Sequence, residues 1–167
     1  MSNHPCVVTI NHQSKPRVLF SGDQLVEVDL PIGTRVIYPK PPMEPLNDVK
    51  AAIRYAVNHP ENSEPLFAKL KPGMKVTIAI DDLSMPLPPM AKPDVRQQML
   101  EVVLEMMEDY AIDDIEMVIA TAFHRPMREE EIRHIVGNRI YNKYAPDRLY
   151  NHDAELPDGM VHLGKTK

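Results

Sequence analysis

The sequence predicts an α/β fold: a doubly wound, largely parallel sheet with helices on both faces, preceded by a small antiparallel β-region. Three observations carry this. Residues 76–80 (VTIAI) and 115–122 (IEMVIATA) are continuous apolar runs, the pattern of strands covered on both faces. Between them, residues 93–110 place apolar side chains at helical spacing. Before residue 38, four short β-like runs are separated by turn residues.

Composition sets the class. At 167 residues, with 43% hydrophobic and 26% charged residues, the chain suits one globular domain with a real core. That domain divides into a β-rich part over 1–38, a Pro-rich connector and helix over 39–74, and a βαβ-type part over 75–167. The net charge of −5 argues against nucleic acid as a partner. No apolar run approaches the roughly 20 residues that span a bilayer, and the start MSNHPCVVTI has no signal-peptide layout. A single cysteine, Cys6, excludes an intrachain disulfide and a cysteine-based zinc site, so the cytoplasm is the expected compartment. Proline, at 17 residues, is about twice its usual share of roughly 5% and clusters at 39–45 and 86–93, as stiff connectors do.

In chain order, β-like runs fall at 6–10, 17–20, 25–30 and 34–38, split by turns at Ser21-Gly22-Asp23 and Pro31-Ile32-Gly33. Val26, Val28 and Leu30 alternate with Glu27 and Asp29, which gives that strand one wet face. Val49, Ile53 and Val57 define a helix over 47–57 that Pro60 stops, and 66–70 adds a helical turn. Pro93 suits the first turn of the next helix, where its missing N–H costs nothing. Val95, Met99, Val102, Val103, Met106 and Tyr110 form its stripe, expected to be core and not a soft binding groove. Glu129, Glu130 and Glu131 open a later helix against its dipole, and Gly137 closes it. Residues 148–151 read as a third strand.

Strand, helix and strand from 75 to 122 form a crossover, which is right-handed in nearly all cases and makes the two strands parallel. Both then end on one edge of the sheet, the edge at which open α/β sheets bind ligands. Asp81 and Asp82 lie at one end, and Phe123, His124 and Arg125 at the other. The third strand brings His152 and Asp153 to the same edge. An Asp pair after a strand is also ordinary loop chemistry, because Asp side chains bond nearby amides.

His124 is the candidate base, since an imidazole facing a carboxylate suits proton abstraction from a hydroxyl. Arg125 offers a fork of donors to a carboxylate or phosphate, or an ion pair to the Glu129–Glu131 cluster. Asp82, His124 and His152 are alternative metal donors, although a shared edge is no coordination geometry. His4, His12, His59, His134 and His162 have no comparable setting. Gly159 to Thr166 matches the phosphate-loop pattern G-x-x-x-x-G-K-[ST]. The pattern works only between a strand and a helix, and here the intervening residues have strand character with no room for the helix, so a chance match is expected.

IDDLSMPLPP, followed by ATAFHRPMREEEIRHIVG and then by NHDAE and LGKT, resembles the N-terminal domain of the lactate racemase family. The likeness runs from about residue 75 onward, and more weakly over the β-region before residue 38. It implies an enzyme that uses a nickel-pincer nucleotide, with Asp82 and Ser84 on the cofactor. His124 would be one of two acid/base groups, and Arg125 and Met85 would face the substrate. In such enzymes a histidine removes the hydroxyl proton of a small 2-hydroxy acid while the cofactor takes the hydride.

Two departures shape the expectation. Met85 stands where the lactate racemases carry a carboxylate-binding arginine, and a thioether cannot pair with a carboxylate, so a hydroxy acid other than lactate is expected. The glycine-rich segment with the cofactor-linking lysine, the nickel-binding histidine and the second acid/base histidine have no counterpart here. The resemblance therefore implies either the N-terminal domain of a longer enzyme, completed by a C-terminal domain, or a short relative that lost the chemistry, with no turnover and no firm hold on the cofactor by this chain alone. A non-catalytic nucleotide- or metabolite-binding module using the same sheet edge is the other reading.

Overall fold

A computed structural model describes residues 5–83, 91–156 and 161–166. The chain folds as two compact units, Met1–Pro45 and Leu46–Lys167.

The first unit is antiparallel, as the alternating runs predict. Strand β1 (Val7–Thr9) pairs with β4 (Arg35–Ile37), and β2 (Arg17–Ser21) pairs with β3 (Gln24–Val28). Ser21 faces Gln24 across the second hairpin, so Gly22 and Asp23 form a two-residue loop. Gly22 sits at φ 63, the left-handed conformation such a loop demands. Cys6 and Ile10 are the buried apolar residues of this unit among those described.

The second unit holds the sheet. Helix α1 (Val49–Asn58) starts at Asp48, whose carboxylate accepts the Ala51 N–H at 2.9 Å. A single turn, α2 (Leu66–Lys69), follows. Then come β5 (Lys75–Asp81), α3 (Val95–Asp109) and β6 (Asp114–Ala120). Helices α4 (Glu129–Val136) and α5 (Asn138–Tyr144) lead into β7 (Leu149–Asn151). The sheet order is β5-β6-β7, all parallel, with Asp81 opposite Ala120 and Ile119 opposite Asn151. The α/β class, the parallel crossover and the third strand are therefore as the sequence predicts.

Coverage of the sheet differs from expectation. Ile80, Ile115, Met117, Ile119 and Leu149 are buried against a core built from α3, α4 and α5, with Ile53 and Val57 of α1 at its margin. Each full burial of this kind stabilises by about 1.5–3 kcal/mol. On the other face Thr77, Ala79 and Tyr150 are exposed, and Glu116 and Val118 are half-buried. Among the described residues only one face is closed. The run 76–80 looked continuous because its outward residues, Thr77 and Ala79, are small and tolerate either setting.

Helix α3 also differs in its start and its face. Asp94 is the N-cap, so Pro93 precedes the helix instead of occupying its first turn. The buried residues are Arg96, Leu100, Val102, Met106 and Met107, whereas Val95 and Met99 are exposed. The apolar stripe is rotated, and the rotation puts the Arg96 guanidinium under the end of β5. Helix α5 was not expected at all. Gly137, at φ 79, ends α4 and directly precedes α5, which buries Ile140 and Tyr144 one turn apart.

Candidate functional site

Three parallel strands end together, and their next residues form the site. Past β5 comes Asp82, past β6 the turn 121–124, and past β7 His152. The turn closes with the His124 N–H donating to the Thr121 carbonyl at 2.8 Å. Ala122 takes φ 50, a left-handed conformation that a residue with a Cβ adopts at a cost of roughly 1–2 kcal/mol. The Thr121 hydroxyl donates to the His152 carbonyl, tying the turn to the end of β7. Beside the site, Asn151 at the end of β7 and Met127 exchange two bonds. The Met127 N–H donates to Asn151 Oδ1 and Asn151 Nδ2 donates to the Met127 carbonyl, each at 2.9 Å. His124 is thus carried on a short, strained and doubly anchored loop.

His124 and Asp82 meet. Nδ1 of His124 lies 2.9 Å from Oδ2 of Asp82, a normal distance for a bond between an imidazole N–H and a carboxylate. The Asp82 side chain is 7% exposed and that of His124 49% exposed, so the carboxylate is the inner partner and the ring the outer. A neutral imidazole that donates Nδ1–H carries its lone pair on Nε2. Such an arrangement is chemically able to orient an imidazole as a base.

Asp82 is held from behind. Arg96 Nη1 donates to the Asp82 carbonyl and to Asp81 Oδ2, both at 3.2 Å. The remaining face of the guanidinium is clamped by Asp94, with Nε to Oδ1 and Nη2 to Oδ2 at 2.9 Å. Asp94 Oδ1 also caps α3 through the Arg96 N–H at 2.8 Å. Both side chains are buried, Arg96 at 8% and Asp94 at 0% exposure. Burial pushes the Asp94 carboxyl up, but the Arg96 hydrogen bonds and charge outweigh it and leave it below the usual carboxylate range. The Asp94 hydrogen bonds in turn raise the Arg96 guanidinium further, against the effect of burial.

Arg125 turns to its own helix. Its Nη1 and Nη2 donate to Glu131 Oε2 and Oε1 at 2.8 and 2.7 Å, the ion pair weighed as one of two roles for this residue. Glu131 also accepts the Arg128 N–H at 2.8 Å, closing the first turn of α4. The hydrogen bonds from Arg125, followed by that from the Arg128 N–H, hold the Glu131 carboxyl down at about 2.

The other candidates are dispersed or lie elsewhere. Ser84 and Met85 fall outside the described residues, as do Gly159 and Met160 of the phosphate-loop pattern. Val161 to Thr166 are exposed and have neither strand nor helix, so that pattern lacks its setting. His152 is exposed, with its main chain bonded to Ile119 and Thr121. Among the described residues no three His, Cys, Asp or Glu side chains are grouped to hold a metal. Among the described residues the donor set at the edge is one imidazole against one carboxylate, which is too few donors for a metal. Sequence reasoning missed Arg96, Asp94, Thr121 and Asn151. For Arg96 a signal existed, in an arginine two residues after an N-capping Asp and in line with Leu100 and Val103.

Among the described residues no helix is long and apolar enough to cross a membrane. A family model described as the lactate racemase N-terminal domain matches residues 21–167. No curated protein matches the chain.

Proposed function

We propose, from the premise that this chain belongs to the lactate racemase N-terminal domain family, that it supplies one proton-transfer group of a racemase or epimerase acting on a small 2-hydroxy acid. The observation that carries the proposal is the 2.9 Å pairing of His124 Nδ1 with Asp82 on the ligand-binding edge of the sheet. With Nδ1–H held by Asp82, Nε2 of His124 takes the substrate hydroxyl proton. The carboxylate then stabilises the imidazolium until that proton is returned.

Arg125 and position 85 face the substrate in this reading. Met85 cannot pair with a carboxylate, which leaves Arg125 as the cationic partner of the acid, released in part from Glu131 when substrate binds. Family members rely on a nickel-pincer nucleotide for the hydride half of the reaction. The described donor set does not fit that metal, so the chemistry proposed for this chain is the proton half alone. Asp82 and Ser84 would border the nucleotide, and the C-terminal domain of the same enzyme would complete the site.

The test is turnover by the complete enzyme, domain and C-terminal domain together, on the separate enantiomers of a panel of small 2-hydroxy acids, resolved by chiral chromatography. The expected result is inversion of at least one acid, with kcat lowered on the order of 10²–10⁴-fold by His124→Ala. Inversion that survives His124→Ala undiminished would remove His124 from the chemistry. Absence of inversion across the panel, with a nucleotide still bound at Asp82, would favour a binding module.

A further inference from the structure

We infer that Arg96, fixed by Asp94, is a positioning residue that sets the Asp82 carboxylate against His124. The inference rests on the reading of Asp82 and His124 as a proton-transfer pair and adds a residue to it that touches neither substrate nor imidazole. Asp82 lies just beyond the last paired residue, Asp81. Its carbonyl is held by Arg96 Nη1 at 3.2 Å, from a helix whose first turn is itself tied to the same guanidinium through Asp94.

The geometry of the fork matters here. Nε and Nη2 are committed to the two oxygens of one buried carboxylate, so the guanidinium plane has one orientation, and Nη1 points at the end of β5. A lysine ammonium keeps the charge facing Asp94 but has no rigid fork with which to span Asp94 and the Asp82 carbonyl together. With this contact to the Asp82 carbonyl lost, the Asp82 carboxylate meets Nδ1 less uniformly, and the imidazole shifts from its preferred tautomer.

The experiment is ¹⁵N NMR of the histidine rings in the 167-residue chain, at a pH where His124 is neutral, with Asp82→Asn as the reference for a lost pair. The wild type should show the Nδ1–H tautomer at His124. Arg96→Lys should shift His124 toward the tautomer mixture of Asp82→Asn while circular dichroism shows a folded chain. Asp94→Ser, which keeps a helix cap but frees the fork, should shift it in the same direction. A wild-type tautomer at His124 in either folded variant overturns the inference. Should neither variant fold, the wild type decides. The Arg96 Nε–H signal should be resolved and protected from solvent exchange, and exchange as fast as that of an exposed arginine contradicts the clamp. Failure of the function proposal is separate, because it is read from inversion by the complete enzyme carrying His124→Ala.

Discussion

Two arginines in this chain each hold a carboxylate with two nitrogens at nearly the same distances, Arg96 side-on and Arg125 end-on, and their surroundings differ. Arg96 binds Asp94 at 2.9 Å through two nitrogens, and Arg125 binds Glu131 at 2.8 and 2.7 Å. The first pair is 8% and 0% exposed, the second 58% and 18%. The buried guanidinium has no water to replace a lost partner, so it is structurally committed, and its spare nitrogen fixes the main chain at Asp82. The exposed one exchanges partners with solvent at little cost, which suits the substrate-binding role proposed for it. Geometry alone does not separate a clamp from a hand; burial does.

The largest expected effect follows from the buried pair. Arg96→Met strands the Asp94 carboxylate in a dry setting and should cost roughly 3–5 kcal/mol of stability, read from urea unfolding. A loss within the scatter of surface variants would erase the distinction between the two forks. Arg125→Ala should move the urea midpoint by a small fraction of that, because both ends of its pair reach water. Under the proposed function its effect falls instead on the KM for the hydroxy acid, which should rise with kcat little changed.

Acid exposes the second pair by a different route. Glu131 is held at about 2, below its ordinary 4.5, so its ionised form is favoured by the fold. The contribution is whole above about 4.5 and disappears as the pH falls through about 2. Carboxyl ¹³C NMR should find the Glu131 midpoint low in the wild type and returned toward the usual carboxylate range in Arg125→Ala. An unchanged midpoint would assign the shift to Arg128, through its N–H and its guanidinium. The smallest effect is that of salt. Raising ionic strength from 0.1 to 1 M shortens the screening length from about 10 to about 3 Å, and should weaken the Glu131 pair while leaving the Asp94 pair nearly untouched.

The frame of the site was legible in the sequence because it depends on patterns that survive averaging over side chains. Apolar runs before Asp81 and His124, with a helix between them, force parallel strands and a shared edge. The contact itself was not legible. His124 reaches Asp82 from a turn in which Ala122 is left-handed, and an alanine gives no warning of that conformation. Arg96 was hidden because an arginine on an apolar helix reads as the solvated edge of the stripe. In fact the stripe is rotated, Val95 and Met99 face outward, and the guanidinium is inside. The open sheet face was hidden by Thr77 and Ala79, which suit a covered strand as well as a bare one. Helix α5 is hidden because Gly137 carries the signature of a helix end, and it is also the N-cap of the next helix.

The claim that Asp82 acts through His124 is tested most directly by a double-mutant cycle on kcat/KM in the complete enzyme, using Asp82→Asn, His124→Ala and the two combined. A pair acting as one base predicts non-additive losses. His124→Ala should cost on the order of 10²–10⁴-fold, and adding Asp82→Asn to it less than about tenfold more. Losses that multiply in full would contradict the pairing and leave Asp82 and His124 as neighbours with separate tasks.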